Sequence, residues 1–158
     1  MNKLMVIILV IFSSFTWAKT DEQALKHLSE EARTGILQYK MLEKKYYNSA
    51  DLTGLLSIFT DDINLAFNGN KRLIGQAEVK QFFANFWSQY TVKINSVNYE
   101  DVDETIGHVV IWANFNLTLT NKKTGEITQD AGRSLTIYKK GDDGHYRLWR
   151  EAGLDAGI

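Results

Sequence analysis

The sequence predicts an α+β fold in which helices precede a run of antiparallel strands. In the first half of the chain, apolar residues recur three or four positions apart, as on the buried face of a helix. After Tyr90 the period changes to two, which is typical of strands that bury one face. Turn sequences at 120–125 and 141–144 predict hairpins between the last strands. Helices and strands in separate blocks favour helices packed on one face of an antiparallel sheet.

Three helices are predicted before the main sheet. The sequence 20–23 matches a capping box, and the apolar spacing behind it predicts one long helix over 21–48. A short helix follows with Ser49 as its candidate cap, and a third begins at Gly75. One face of the third helix is strongly aromatic, with Phe83 and Trp87 at its centre. This face indicates either core packing or the wall of a pocket.

Five strands are predicted, over 63–67, 92–99, 107–120, 127–137 and 145–151, with a turn at 68–70 after the first. The strand 107–120 places its most regular apolar series on one face, from Val109 to Leu119. In the strand 127–137, the apolar alternation includes Gln129 and Arg133. We therefore expect both polar residues to face inward with Leu135 and Ile137.

The first 18 residues predict a secretory signal peptide. Lys3 precedes the apolar run 4–12, and Ala18 is a small residue at a plausible cleavage point. The run is shorter than the roughly 20 residues that span a bilayer, although a retained anchor is the alternative. We expect cleavage after Ala18, export to the periplasm or medium, and a single domain over 19–158. An intact mass of exported protein that includes residues 1–18 would contradict this expectation.

The composition excludes several classes of site. The 158 residues include no Cys, which removes disulfides, thiol nucleophiles and thiolate metal ligands. A net charge of −1 gives no reason to expect nucleic acid or an anionic membrane as partner. His27, His108 and His145 lack metal-ligand spacing, and no cofactor-binding motif is present. We therefore expect neither a metal nor a cofactor.

Three segments together resemble a known family. They are Asn48-Ser-Ala-Asp-Leu-Thr-Gly-Leu-Leu-Ser-Ile-Phe-Thr-Asp-Asp-Ile63, Leu73-Ile-Gly-Gln-Ala-Glu-Val-Lys-Gln-Phe-Phe83, and the two strands between Gly132 and Glu151. Their order and spacing are similar to those of the nuclear transport factor 2-like superfamily, in its SnoaL-like and ketosteroid-isomerase-like branch. The resemblance implies a cone-shaped curved antiparallel sheet wrapped around the long N-terminal helix, with two further helices and a pocket at the open end. Members include isomerases, dehydratases, hydrolases and binding domains, so the fold leaves the function open.

Arg133 is the first candidate site residue. A guanidinium keeps its charge and is rarely buried without a partner. If Arg133 faces the pocket, it binds a ligand carboxylate or a developing oxyanion. The alternative is a structural ion pair with Asp62 or Glu151.

Asp62 is the candidate general base, with a pKa raised by apolar neighbours, although a polar helix end is the simpler interpretation. The ketosteroid-isomerase pattern would also need a Tyr, and no motif selects one among Tyr39, Tyr46 and Tyr47. The remaining ligand-binding candidates come from the aromatic helix and the last strands. The full candidate set is Tyr47, Asp62, Phe83, Trp87, Gln129, Arg133 and Glu151.

The opposite sheet face predicts a subunit interface, because large aromatic residues among short polar ones are typical of interfaces. The residues expected there are Trp112, Asn114, Asn116, Thr136 and Tyr138. An ordinary solvated face is the alternative. Many proteins of the superfamily are homodimers through this face, which the resemblance extends to this chain.

Three functions are compatible with these predictions. The first is an exported protein with a pocket for a small, largely apolar ligand that has a polar or acidic end. The second is a cofactor-independent lyase, isomerase or hydrolase that uses the same pocket with Asp62 as base. The third is a non-catalytic dimeric interaction module whose pocket is filled by its own side chains.

Overall fold

The computed structural model describes Asp21 and residues 23–67 and 72–155. The predicted signal peptide and the predicted turn at 68–70 lie outside these residues. The helices are α1 (Glu30–Ser49), α2 (Leu52–Ser57) and α3 (Gly75–Gln89). The strands are β1 (Phe59–Ala66), β2 (Leu73–Ile74), β3 (Tyr90–Thr105), β4 (His108–Asn121), β5 (Ile127–Lys140) and β6 (Tyr146–Asp155).

The predicted single helix over 21–48 is wrong at its start. The chain is helical at Asp21 and 23–25, leaves the helix at 26–29, and begins α1 behind Ser29. The Ser29 hydroxyl accepts a hydrogen bond from the Ala32 amide at 3.2 Å, which caps α1. Both the amide and the hydroxyl of Ser29 donate to the Glu104 carboxylate, at 2.6 and 2.8 Å. A contact with β3 therefore fixes where α1 begins.

The six strands form one sheet in the order β2-β1-β6-β5-β4-β3. Neighbouring strands are antiparallel except for β1 and β6, which are parallel. β3 is longer than the predicted strand 92–99 and shifts register against β4 at two points, between Ile94 and Ser96 and between Tyr99 and Asp101. Such bulges bend a sheet and increase its twist. The predicted fold class, a curved sheet with helices on one face, is confirmed.

The core lies between α1, α3 and the inner face of the sheet. From α1, Ala32, Ile36 and Tyr39 are buried, and from α3, Val79, Phe83 and Trp87. These residues recur at helical spacing, so each helix turns one apolar face to the sheet. Burying each large apolar side chain contributes about 1.5–3 kcal/mol, which holds the helices on the sheet.

The predicted orientation of β5 is wrong. Ser134, Thr136 and Tyr138 are 6%, 4% and 5% exposed and face the core, while Arg133 lies on the opposite face. The register agrees, because Thr136 and Tyr138 pair with the buried Ile111 and Val109 of β4. β5 has apolar residues on both faces, and the prediction took those of the outer face to be the inward-facing ones. Among the described residues, no helix is long and apolar enough to cross a membrane.

Candidate functional site

Two carboxyl groups face the interior between α1 and the sheet. Glu43 lies on the α1 face that also presents Tyr39 and Tyr47, one turn away on either side. Glu151 of β6 pairs with the buried Thr136 of β5, so its side chain points to the same interior. Neither Glu43 nor Glu151 forms an ion pair with a described residue.

Burial changes the protonation of both carboxyls. It raises the pKa of Glu43 from an ordinary 4.5 to about 8, with repulsion from Glu151 as the second cause. Burial alone raises the pKa of Glu151 to about 7. Removal of water disfavours the charged form of an acid, and a second acid nearby adds to the effect. At neutral pH, Glu43 is therefore mainly protonated, and Glu151 is divided between its two forms.

Four tyrosines surround the two carboxyls. Burial raises the pKa of each phenol well above 10, so all four remain neutral hydrogen-bonding groups. They are Tyr39, Tyr47, Tyr99 and Tyr138. The Tyr39 hydroxyl donates to Oε1 of Glu43 at 3.3 Å, and its ring meets that of Tyr138 edge to face at 4.7 Å. Tyr99 and Tyr138 are close enough for each to influence the pKa of the other.

A cavity of about 270 Å³ lies between α1 and β3 and reaches Glu43. Lys40 and Lys44 of α1, Asp21 and the β3 segment 94–98 form the rest of its lining. The Lys40 ammonium pairs with Asp21, donates to the Val97 carbonyl at 2.6 Å and lies 4.4 Å from the centre of the Tyr99 ring. Glu43 is thus one of the residues that line this cavity.

The inner face of the sheet becomes more accessible along β4. Val109, Ile111 and Ala113 are buried against the helices. Farther along the same face, Phe115, Leu117 and Leu119 are only half-buried, and the residues opposite Leu117 and Leu119 on β5 are exposed. The concave face is therefore closed by the core at one end and accessible at the other, where an apolar molecule could lie.

Four of the predicted site residues face the interior. The Tyr47 ring meets Phe83 and Trp87 edge to face, with centroids 5.4 and 6.0 Å apart. Glu151 completes this inward-facing group. Their proximity agrees with the predicted pocket wall, and their role in binding stays a prediction.

Arg133 and Gln129 lie on the outer face instead. The Arg133 guanidinium donates to Oε2 of Glu100 from two nitrogens, at 3.0 and 2.6 Å. Its ion-pair partner is therefore Glu100, and the predicted pairing with Asp62 or Glu151 is wrong. Gln129 is exposed and accepts a hydrogen bond from the Thr118 hydroxyl at 3.2 Å.

Asp62 does not have the raised pKa expected of a buried base. It is exposed on β1, and its carboxylate accepts a hydrogen bond from the Trp149 indole at 2.8 Å. That hydrogen bond, with the nearby Arg150 guanidinium as a lesser cause, lowers the pKa of Asp62. A carboxylate so stabilised is a weak base, which leaves Glu43 and Glu151 as the acid–base candidates.

Sequence reasoning missed Glu43, Tyr99 and Tyr138. A signal for Glu43 was present, because it lies four positions from both Tyr39 and Tyr47, on the same helix face. Tyr138 was assigned to the outer face through the error in β5. Among the described residues, no group of three side chains could hold a metal ion.

Comparison with known proteins supports the fold and leaves the activity open. No protein-family model and no curated protein sequence matches the chain. Solved structures match over most of its length. A ketosteroid isomerase-like protein from Erwinia carotovora atroseptica is 20% identical over 80% of this chain and 96% of its own, with a TM-score of 0.70.

Two further structures share the same fold. An NTF2-like superfamily protein from Salmonella enterica is 12% identical over 79% of this chain and 91% of its own, with a TM-score of 0.68. ActVI-ORFA from Streptomyces coelicolor is 10% identical over 80% of this chain and 98% of its own, with a TM-score of 0.63. The fold is that of the nuclear transport factor 2-like superfamily, as the sequence resemblance implied. At these identities the likeness shows the fold alone.

Proposed function

We propose that the chain binds a small, largely apolar molecule inside the cone, with the polar end of that molecule at Glu43. The observation that supports this most is the position of Glu43 and Glu151, both half-buried among four tyrosines and both with raised pKa values, beside a cavity that Glu43 lines. Buried ionisable groups destabilise a fold unless something offsets the cost, and they occur often at binding and catalytic sites. Ile94 and Val97 of β3 line the same cavity and supply a surface for the apolar part of the ligand.

A second candidate is cofactor-independent proton transfer in the same pocket. The pKa of Glu151 is about 7 and that of Glu43 about 8, so one group can accept a proton while the other donates one. One structural neighbour is a ketosteroid isomerase-like protein, which is compatible with such chemistry. Export after cleavage at Ala18 is also proposed, on the sequence pattern of residues 1–18 alone.

Titration with 1-octanol tests the binding function, because this probe combines an apolar chain with one polar end. Val97→Trp should fill the cavity and weaken octanol binding at least tenfold, since Val97 lines it. Ile127→Trp adds the same side chain at a position that is 66% exposed, and should bind octanol like the wild type. Calorimetry measures the three affinities. Equal affinities in all three proteins, or no binding to the wild type, would count against a pocket at this place.

A further inference from the structure

From the charges around the cavity, we infer that its ligand is an amphiphilic monoanion, whose carboxylate lies between Lys44 and Glu43 while its apolar chain enters the cone. This inference rests on the proposed binding function and specifies the class of ligand. The carboxylate of the ligand would thus lie beside α1, on the opposite side of the sheet from Arg133.

The cavity mouth has one uncompensated positive charge. Lys40 and Lys44 both line the cavity, one helical turn apart on α1. The charge of Lys40 is balanced by Asp21, and its ammonium also donates to a β3 carbonyl. Lys44 is exposed and forms no ion pair with a described residue. An anion at the mouth would pair with Lys44, whereas a cation would be repelled.

Glu43 provides the second contact with an anion. Burial keeps its carboxyl mainly protonated at neutral pH, so it can donate an O–H hydrogen bond. One of its oxygens accepts from Tyr39, and the other receives no hydrogen bond from a described residue. Hydrogen bonds from O–H groups to carboxylates are among the short, strong ones. A bound carboxylate would also keep Glu43 protonated, because a second negative charge nearby disfavours its ionisation.

The groups that surround Glu43 come from several elements and differ in their charge at neutral pH. Lys40 and Lys44 are positive, Asp21 is negative, the phenols are neutral, and Glu151 is close to its midpoint at neutral pH. The phenols are those of Tyr39, Tyr47, Tyr99 and Tyr138. With Glu43 protonated, the lining of the cavity has a net charge of about +1, since Lys40 and Asp21 cancel. Only Lys44 is left to select the charge of the ligand.

A series of probes with the same chain and different head groups tests the inference. Octanoate, 1-octanol and octylammonium are titrated calorimetrically at pH 7 into the protein that comprises residues 19–158. We expect octanoate to bind at least tenfold more tightly than octanol, and octylammonium to bind least. Lys44→Gln should reduce the preference for octanoate over octanol about three- to tenfold, as expected for a partly exposed ion pair. Lys45→Gln removes a neighbouring exposed charge that does not line the cavity, and should leave the preference unchanged.

The pH dependence separates the role of Glu43 from a general attraction of anions. As the pH rises through about 8, Glu43 ionises and octanoate binding should weaken, while octanol binding changes little. Glu43→Gln keeps a neutral hydrogen-bond donor and should retain octanoate binding at pH 7. It should also weaken the pH dependence, so that only the titration of Glu151 near pH 7 remains. Equal binding of octanoate and octanol would overturn the inference and leave the pocket in place. Failure of every probe to bind would overturn the proposed function as well.

Discussion

Glu43 is a residue whose burial has a measurable cost to the fold. Its carboxyl forms no ion pair with a described residue, and the attraction of Lys40 is outweighed by burial, so its pKa is raised. Glu151 likewise forms no ion pair with a described residue, and burial raises its pKa. The folded protein therefore holds both protons more tightly than the unfolded chain, whose glutamates titrate near 4.5. Between about pH 4.5 and about pH 8, unfolding releases protons, so the free energy of unfolding must fall as the pH rises.

Glu43→Gln should remove the destabilisation that the ionised carboxylate causes at alkaline pH. The substitution keeps the shape and the hydrogen bond with Tyr39 but cannot ionise. At pH 8.5 we expect the variant to be more stable than the wild type by up to several kcal/mol, because each pKa unit is worth about 1.4 kcal/mol. At pH 5, where the wild-type carboxyl is protonated in the folded state, the two proteins should be about equally stable.

Urea unfolding at both pH values measures the difference. Glu126→Gln is the matched control, since Glu126 is exposed in the β4–β5 turn and should show the same small effect at both pH values. A Glu43→Gln variant that is less stable than the wild type at pH 8.5 would mean that the carboxylate has a stabilising partner.

The orientation and the ion-pair partner of Arg133 could not be predicted from the sequence. The period of two in β5 was predicted, but a strand that is apolar on both faces does not indicate which face is buried. The partner Glu100 lies in a bulge of β3, 33 positions earlier in the chain, and no local sequence pattern predicts this pairing. The position of Tyr47 beside Phe83 and Trp87 could be anticipated, because each belongs to a helix face whose orientation the apolar spacing decides.

Among the elements, helices and strands with one apolar face were predicted most accurately. The second and third helices, β4 and the hairpins at 120–125 and 141–144 fall near their predicted positions, whereas α1 agrees only at its end. The parallel pairing of β1 with β6 was not predicted, because it joins residues about 90 positions apart through backbone hydrogen bonds that any side chains permit. The same reason applies to Ser29, whose role as a cap depends on Glu104 of β3.

The contact between α1 and β6 depends on a glycine. A Cβ atom added at Gly35 would lie 2.5 Å from a ring carbon of Tyr146, so the ring packs directly against the helix backbone. Tyr146 is 7% exposed and belongs to the core, which limits its freedom to move. On an exposed helix face, Gly→Ala would stabilise by about 1 kcal/mol. At Gly35 the steric conflict should outweigh this gain.

Gly35→Ala is therefore expected to destabilise the fold by about 1–3 kcal/mol, the usual cost of overpacking. Tyr146→Leu should itself lower the stability but remove the conflict, so that Gly35→Ala becomes neutral or stabilising in the Tyr146→Leu background. A double-mutant cycle by chemical denaturation measures this coupling. Additive effects of the two substitutions would show that α1 approaches β6 less closely than described.

At the scale of the whole molecule, the outer face of the sheet carries apolar residues that no described helix covers. Trp112 of β4 and Leu135 and Ile137 of β5 lie on it and are half-buried only by their neighbours in the sheet. Of the residues predicted for an interface, Trp112, Asn114 and Asn116 lie on this face, whereas Thr136 and Tyr138 are in the core. The corrected face is more apolar than the predicted one, which strengthens the case for a partner.

We propose that two copies of the chain associate through this face, and expect sedimentation velocity to show a dimer at micromolar concentration. Ile137→Glu places a charge at the centre of the face and should shift the protein to a monomer, because an unpaired charge in an interface costs several kcal/mol. Ile106→Glu is the matched control, since Ile106 is fully exposed in the turn between β3 and β4, and should remain dimeric. Both variants should keep the wild-type circular dichroism spectrum, because neither position belongs to the buried core. A monomeric wild type would contradict the proposed dimer. A dimeric Ile137→Glu variant would mean that the two copies associate through another surface.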